Sequence, residues 1–188
     1  MRRALVAAML LLVAAEPLVA QQTKAAGTYF ADLKLVDQDG KRVDLYEDLM
    51  KDRVVIINSF FTSCTGSCPV MAKTFLHVQD QLGDRLGRDV WLISITVDPA
   101  HDTPAVLKKF AEQWKARPGW RLLTGTKEEV AAVLQKIGQY VDDRETHKSL
   151  ILVGNDRTGL WKKLFGLAKP AEIYASVEAV VNDPGVMR

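Results

Sequence analysis

The hydrophobic and polar positions of the chain follow two different periods, and these periods predict strands and helices. Near the N-terminus, apolar residues alternate with polar ones on both sides of Asp39-Gly40, which predicts a β-hairpin. The stretches from Val54 to Phe61 and from Trp91 to Val97 are apolar nearly throughout, as expected of strands buried on both faces. Between them, apolar residues recur at helical spacing and predict a helix with the stripe Met71, Phe75, Val78, Leu82 and Leu86.

The second half of the chain continues this alternation of strands and helices. Thr103 followed by Pro104 predicts a helix start, and the spacing of Thr126 and Glu129 predicts a capping box at the start of another helix. The strand-like segment WRLLTG lies between these two helices, and a hairpin over residues 150–165 precedes a last helix. We therefore predict an α/β fold: a central mixed sheet with flanking helices, an N-terminal β-hairpin and a late antiparallel hairpin.

The first residues show the pattern of an export signal. Arg2 and Arg3 precede ALVAAMLLLVAA, an apolar run over residues 4–15. A bilayer-spanning helix needs roughly 20 apolar residues, so this run is short for one and fits the apolar region of a secretory signal. Cleavage is expected after Ala20, although Leu18 departs from the small residue preferred before the cut. A retained N-terminal anchor is the alternative.

This N-terminal pattern divides the chain into three parts. We predict a signal peptide or retained anchor at residues 1–20, a flexible lead-in at residues 21–28 and one domain at residues 29–188. The domain is then exported to the periplasm or another extracytoplasmic space, and membrane association is expected only through the N-terminus. The net charge of +2, with no basic stripe interleaved with aromatic residues, argues against a nucleic-acid partner.

The two cysteines of the chain, Cys64 and Cys68, lie at the corner between the first buried strand and the helix that follows. A dithiol at such a corner is typical of a thioredoxin-like fold, with the site beyond the carboxyl ends of the strands. A disulfide across three intervening residues would restrain little chain, so a functional role is favoured over a structural one. Pro69 places Cys68 at the helix start, where backbone N–H groups and the helix dipole would stabilise a thiolate.

Two thiolates alone suit a soft ion such as Cu(I), and an added imidazole gives a ligand set that also holds Cu(II). The chain has three histidines. His77 falls off the apolar stripe, which indicates a solvated residue, and His101 lies in the turn DPAHDTP. His147 precedes the strand LILV, in the loop where thioredoxin-like oxidoreductases carry a cis-proline, and here RETHKS has no proline. Whether His147 is a ligand or an ordinary histidine stays open from spacing alone.

Two other residues with chemistry near this corner have simpler interpretations. Met71 could offer a thioether to copper, but its place on the apolar helix stripe favours packing in the core. Asp98 follows the second buried strand at the same sheet edge as the dithiol. It could orient a ligand or partner, although Asp98-Pro99 is also a plain turn signal.

The combination of FFTSCTGSCP, ISITVDPAHDTP and a later lone histidine resembles the Sco/SenC copper proteins over essentially the whole mature domain. The resemblance implies a thioredoxin-like fold and a copper site formed by Cys64, Cys68 and His147. It also implies a role in supplying copper to the binuclear site of cytochrome c oxidase, or in reducing the cysteines of that site. Thr146 and Lys148 flank His147, where many members have Asp before the histidine and Ser or Thr after it.

These observations together predict an exported copper metallochaperone. Its partners would be the copper-site subunit of cytochrome c oxidase or another copper protein, with a thiol reductant protein as a further partner. Oxidation of the dithiol to a disulfide would remove both thiolate ligands and release the ion. The alternatives are a metal-independent thiol–disulfide oxidoreductase, a copper- or redox-sensing interaction module, and a stable fold with a vestigial site.

Overall fold

The structure is a computed structural model that describes residues 26–185. The predicted signal segment at residues 1–20 and the first part of the lead-in, residues 21–25, lie outside the described residues. Residues 26–29 form a helical turn, so the described end of the predicted lead-in has regular structure. Within residues 26–185, no helix is both long and apolar enough to cross a membrane.

Seven strands in the described part of the chain form one mixed sheet with the order β2-β1-β5-β4-β3-β6-β7. The central strands β3, β4 and β5 are parallel, and the neighbouring strands on both sides run antiparallel. The strands are β1 (Lys34–Asp37), β2 (Arg42–Asp44), β3 (Val54–Phe60), β4 (Val90–Thr96), β5 (Trp120–Thr124), β6 (Leu150–Asn155) and β7 (Leu160–Phe165). The predicted α/β architecture with an early and a late hairpin is confirmed.

The main helices begin where their capping signals predict. The Thr103 side chain accepts a hydrogen bond from the N–H of Val106, and Thr126 and Glu129 form the expected capping box. The helices are α1 (Cys68–Leu82), α2 (Pro104–Gln113), α3 (Lys127–Lys136) and α4 (Pro170–Val181), with a π-helical turn at Leu45–Met50 and 3₁₀ turns at Gly83–Arg85 and Arg144–Thr146.

Helix α1 ends one turn earlier than its apolar stripe suggests. We expected the stripe to continue to Leu86, but the helix stops at Leu82 because Gly83 adopts a φ of +55°, outside the helical region. Leu86 follows the short 3₁₀ turn and still packs against the core from there. An apolar residue at helical spacing can therefore reach the core from outside the helix.

The sheet has a hydrophobic core on each face. Helices α1, α2 and α4 cover one face, and α3 with the π-helical turn covers the other. Along β3, Val54 and Ile56 face the first core while Val55 and Ile57 face the second, which explains why this strand is apolar without alternation. The carboxyl ends of the three parallel strands meet at one sheet edge, and the cysteine loop leaves the sheet there.

Candidate metal site

The two cysteines lie in the connection from β3 to α1, as the sequence predicted. The N–H of Cys64 donates to the carbonyl of Phe61 at 3.2 Å, which folds the loop back toward the end of the strand. Cys68 is the first residue of α1 and is 3% exposed, while Cys64 is half-buried. Both are free thiols. The two thiols therefore lie at the carboxyl edge of the parallel strands.

His147 lies beside Cys68 across the front of this edge. Its Nε2 is 3.5 Å from the Cys68 Sγ, and its Nδ1 is 2.9 Å from the carbonyl oxygen of Arg144. A carbonyl can only accept, so Nδ1 carries a proton, and in the neutral imidazole Nε2 presents its lone pair toward the thiol. The Phe61 ring meets the imidazole edge-on, with 5.3 Å between ring centroids. The fold thus brings together two of the three predicted ligands in direct contact.

The Cys68 thiol is held in its neutral form. Burial, followed by a hydrogen bond with Cys64, raises the pKa of Cys68 to about 12 against a weaker lowering effect from the Phe61 backbone. We expected the helix start to stabilise a thiolate, and for the metal-free protein this expectation is wrong. Loss of water around the sulfur is the largest effect on this pKa, and it favours the neutral thiol.

We expect the two thiols to differ in their reaction with iodoacetamide. Near neutral pH, the half-buried Cys64 should react first, because thiolate is the nucleophile and Cys68 is buried with a raised pKa. The thiolate fraction of Cys68 grows about tenfold for each pH unit below its pKa, so its alkylation should accelerate steeply as the pH rises. Mass spectrometry of Cys64→Ser and Cys68→Ser, each with one thiol left, measures both rates. Equal rates at neutral pH would contradict this order.

The three candidate ligands do not yet form a closed set. Cys68 contacts His147 and hydrogen-bonds with Cys64, but no three His, Cys, Asp or Glu side chains between residues 26 and 185 stand close enough together to hold a metal ion. Two thiols and an imidazole are nevertheless the donors that a soft or borderline ion such as copper prefers. The donor chemistry fits copper, and the assignment of all three residues as ligands stays a prediction.

The other residues considered from the sequence take the simpler places expected of them. His77 is exposed on α1. The side chain of His101 is 72% exposed, and its Nδ1 lies 2.8 Å from a carboxylate oxygen of Asp98 in the turn after β4. Met71 is buried in the core, with its sulfur against Gly166. None of these three side chains forms a hydrogen bond with Cys68 or His147 in the described contacts.

Sequence reasoning missed the role of Arg144 and Asp102. Arg144 forms an ion pair with Asp98, and Asp102 accepts hydrogen bonds from Thr62 in the cysteine loop. Burial raises the pKa of Asp98, but hydrogen bonds from His101 and Arg144 outweigh this effect and leave that pKa below its usual value. The sequence signal for Asp98 and Asp102 was their position, because both follow a buried strand at the same sheet edge as the cysteines.

Comparison with known proteins agrees with this fold. The SCO1 protein homolog of Bacillus subtilis (strain 168) is 38% identical over 90 residues, covering 47% of this chain and 45% of the relative. ScoI of Bradyrhizobium japonicum, solved with copper bound, has a TM-score of 0.64 at 27% identity, covering 79% of this chain and 96% of that one.

A third relative is BsSco, a member of the Sco family of cytochrome c oxidase assembly proteins with an identified disulfide switch. It has a TM-score of 0.66 at 28% identity, covering 80% of this chain and 91% of that one. The chain spans about half the length of the first curated relatives it matches, 45% to 49%. The SCO1/SenC family model matches residues 21–182. Since this match takes in both cysteines, His147 and all seven strands, we conclude that the chain belongs to the SCO1/SenC family.

Proposed function

We propose that the chain is an exported copper metallochaperone that acts in assembly of the copper site of cytochrome c oxidase. Copper is its cargo, bound by the thiolates of Cys64 and Cys68 and by Nε2 of His147. The observation that carries this proposal is the contact of 3.5 Å between Nε2 of His147 and Sγ of Cys68, with Nε2 free to act as a ligand. The related ScoI binds copper and BsSco belongs to oxidase assembly proteins, which supports the same role here.

The site's own residues define how copper would be received. The Arg144 carbonyl accepts from Nδ1 of His147, so in the neutral imidazole Nε2 carries the lone pair that would bind copper. Cys68 must give up its proton, because the neutral thiol is the form favoured by burial. Binding must also draw Cys64 and His147 together around the ion, since the three side chains are linked only pairwise in this arrangement.

Export of the domain is part of the proposal. The basic residues followed by the short apolar run at residues 4–15 support a secretory signal or a membrane anchor. Outside the cytosol a reduced dithiol is exposed to oxidants, so the redox state of Cys64 and Cys68 would decide whether both thiolates are available. Oxidation by a partner's disulfide would transfer two electrons and two protons to that partner and leave no thiolate for copper.

A thiol–disulfide oxidoreductase is the second candidate function. The observation that favours it is the pair of free, hydrogen-bonded thiols of unequal exposure. The sulfur of Cys64 would attack a partner's disulfide and form a mixed disulfide, releasing one partner thiol. Cys68 would then attack Cys64, releasing the second partner thiol and closing the Cys64–Cys68 disulfide. The partner's disulfide is reduced by two electrons and the dithiol is oxidised by two.

We expect His147→Ala to weaken copper binding by more than about tenfold, because loss of an imidazole removes one donor of a three-ligand site. Reduced protein is titrated with one equivalent of copper in competition with a chelator, and thiolate-to-Cu(II) absorption is followed. His77→Ala is the matched control, since His77 is exposed and has no contact with the site. Equal affinity and spectra in His147→Ala and the wild type would remove His147 from the site.

Measurements on the wild-type protein also distinguish the metallochaperone from the second candidate function, the thiol–disulfide oxidoreductase. Wild-type protein that fails to bind copper, yet rapidly reduces a small disulfide-containing peptide, would favour the oxidoreductase. Tight copper binding with slow peptide reduction supports the metallochaperone.

A further inference from the structure

The segment Val97–Thr103, sequence VDPAHDT, forms a compact turn after β4 at the edge that carries the candidate site. The N–H of Val97 donates to the carbonyl of Phe60 at 2.8 Å, which ties the turn to the end of β3. The N–H groups of His101 and Asp102 both donate to the carbonyl of Asp98, at 3.1 and 2.9 Å. This fold places the carboxylates of Asp98 and Asp102 on one short turn between the two loops of the site.

Asp98 reaches the loop that carries His147. Its carboxylate, with the side chain 10% exposed, pairs with the guanidinium of Arg144. The carbonyl of Arg144 in turn accepts from the His147 N–H at 3.3 Å and from its Nδ1 at 2.9 Å. The guanidinium also lies over the Phe61 ring, 5.2 Å from its centroid, and the same ring contacts the imidazole. Arg144 therefore links Asp98, through its guanidinium, to His147, through its backbone carbonyl.

Asp102 reaches the loop that carries the cysteines. It is 1% exposed and accepts from the N–H of Thr62 at 3.1 Å and from the Thr62 hydroxyl. Thr62 lies two residues before Cys64, at the point where the chain leaves β3. A buried carboxylate that accepts both a backbone and a side-chain donor holds that residue firmly. Asp102 thus anchors the start of the cysteine loop.

Asp98 and Asp102 belong to one hydrogen-bonded unit. The hydroxyl of Thr96 donates to Asp102 and accepts from the N–H of Asp98 at 2.9 Å. The Arg144 side chain, which pairs with Asp98, is not held by packing on all sides. A cavity of about 760 Å³ opens beside it, lined by Asp98 and Arg144 together with apolar residues of α3 such as Val130 and Leu134. At the edge of this cavity, the Arg144 guanidinium is held by the ion pair with Asp98 and by the contact with the Phe61 ring. Its Nε lies 3.4 Å from a Glu145 carboxylate oxygen.

We propose that Asp98 and Asp102 are positioning residues that join the two halves of the site. Asp98 sets the orientation of His147 through Arg144, and Asp102 sets the start of the cysteine loop through Thr62. The segment VDPAHDT thereby acts as a brace that keeps imidazole and thiol facing each other before any ion arrives. The brace concerns the metal-free protein, and only its effect on copper affinity rests on the proposed function.

The first test uses metal-free protein and NMR of the His147 imidazole. In the wild type, we expect a slowly exchanging Nδ1–H and a single ring environment. Asp98→Asn and Arg144→Met should both lose the slowly exchanging proton, and Arg144→Lys should recover it in part because the charge opposite Asp98 is kept. Asp142→Asn is the matched control, since Asp142 lies in the same region and its side chain accepts only from Tyr140 in the described contacts. An unchanged His147 signal in both Asp98→Asn and Arg144→Met would overturn the proposal.

The second test measures copper affinity in the same variants. Residues that orient a ligand without touching the metal typically contribute 10–100-fold to affinity, so we expect about tenfold weaker binding in Asp98→Asn and Arg144→Met, with unchanged affinity in Asp142→Asn. Asp102→Asn should weaken copper binding with His147 still in its wild-type environment, because it acts on the cysteine loop. Asp102→Asn with wild-type affinity would remove Asp102 from the brace. If wild-type protein binds no copper, the proposed function fails, while the NMR result still decides the brace.

Discussion

Cys68→Ser should abolish tight copper binding, with a loss of affinity greater than about a hundredfold. Residues that only orient a metal ligand already contribute 10–100-fold, and Cys68 is expected to supply a ligand itself. A serine hydroxyl is a hard donor that keeps its proton at neutral pH, so it replaces neither the softness nor the charge of a thiolate. Copper affinity is measured by competition with a chelator, and the thiolate-to-Cu(II) absorption should lose most of its intensity.

The neighbouring residue offers a matched control for Cys68→Ser. Ser67 is the N-cap of α1 and its side chain makes no capping hydrogen bond, so Ser67→Ala should leave copper binding and stability nearly unchanged. Cys64→Ser should resemble Cys68→Ser if both sulfurs are ligands. Circular dichroism establishes that each variant is folded. Copper affinity within threefold of wild type in folded Cys68→Ser would exclude this thiol from the site.

Trp120→Ala should lower the free energy of unfolding by about 3–5 kcal/mol, the largest effect on stability that we predict. The indole is 2% exposed and packs against Phe75, with 5.5 Å between ring centroids. Its Nε1–H also donates to the Ser94 hydroxyl at 3.0 Å, and this hydroxyl donates to the Asn58 side chain at 2.7 Å. The substitution therefore removes a large apolar side chain and one bond of a buried polar chain. Urea unfolding of the metal-free protein measures the change.

Two further tryptophan variants separate the loss of buried apolar volume from the loss of the hydrogen bond to Ser94. Trp120→Phe keeps most of the ring volume but removes the donor to Ser94, so it should lose less than Trp120→Ala. Trp114→Ala removes a half-buried indole at the margin of the same core and should also cost less. A loss below about 1 kcal/mol in Trp120→Ala would show that the core collapses around the missing ring.

The fold could be predicted because its signals are local. The uninterrupted apolar run of β3 indicates burial on both faces, and Thr103, Thr126 and Glu129 mark helix starts through hydrogen bonds that span only three residues. The end of α1 was not predicted correctly, because the apolar stripe continues to Leu86 while the helix stops at Leu82. The backbone conformation of Gly83 decided it.

The candidate site was predictable in part. Its residue types were visible, because two thiols at a strand–helix corner and a histidine before a later strand stand out along the chain. The ionisation state of Cys68 could not be predicted, because the spacing of residues shows where the helix begins but not how much water reaches the sulfur. Burial is a property of the packed protein, and here it is the largest effect that raises the pKa of Cys68.

From its residues alone, this chain reveals a thioredoxin-like order of strands and helices, a dithiol at the first buried corner, and a histidine whose role stays open. Only the tertiary structure decides that His147 meets Cys68, 79 residues away along the chain. That contact follows from the antiparallel register of β3 and β6, which pairs Asn58 with Ile151 and brings the loop before β6 to the end of β3. Register and the ion pair of Asp98 with Arg144 depend on side chains far apart in sequence, so no local pattern encodes them.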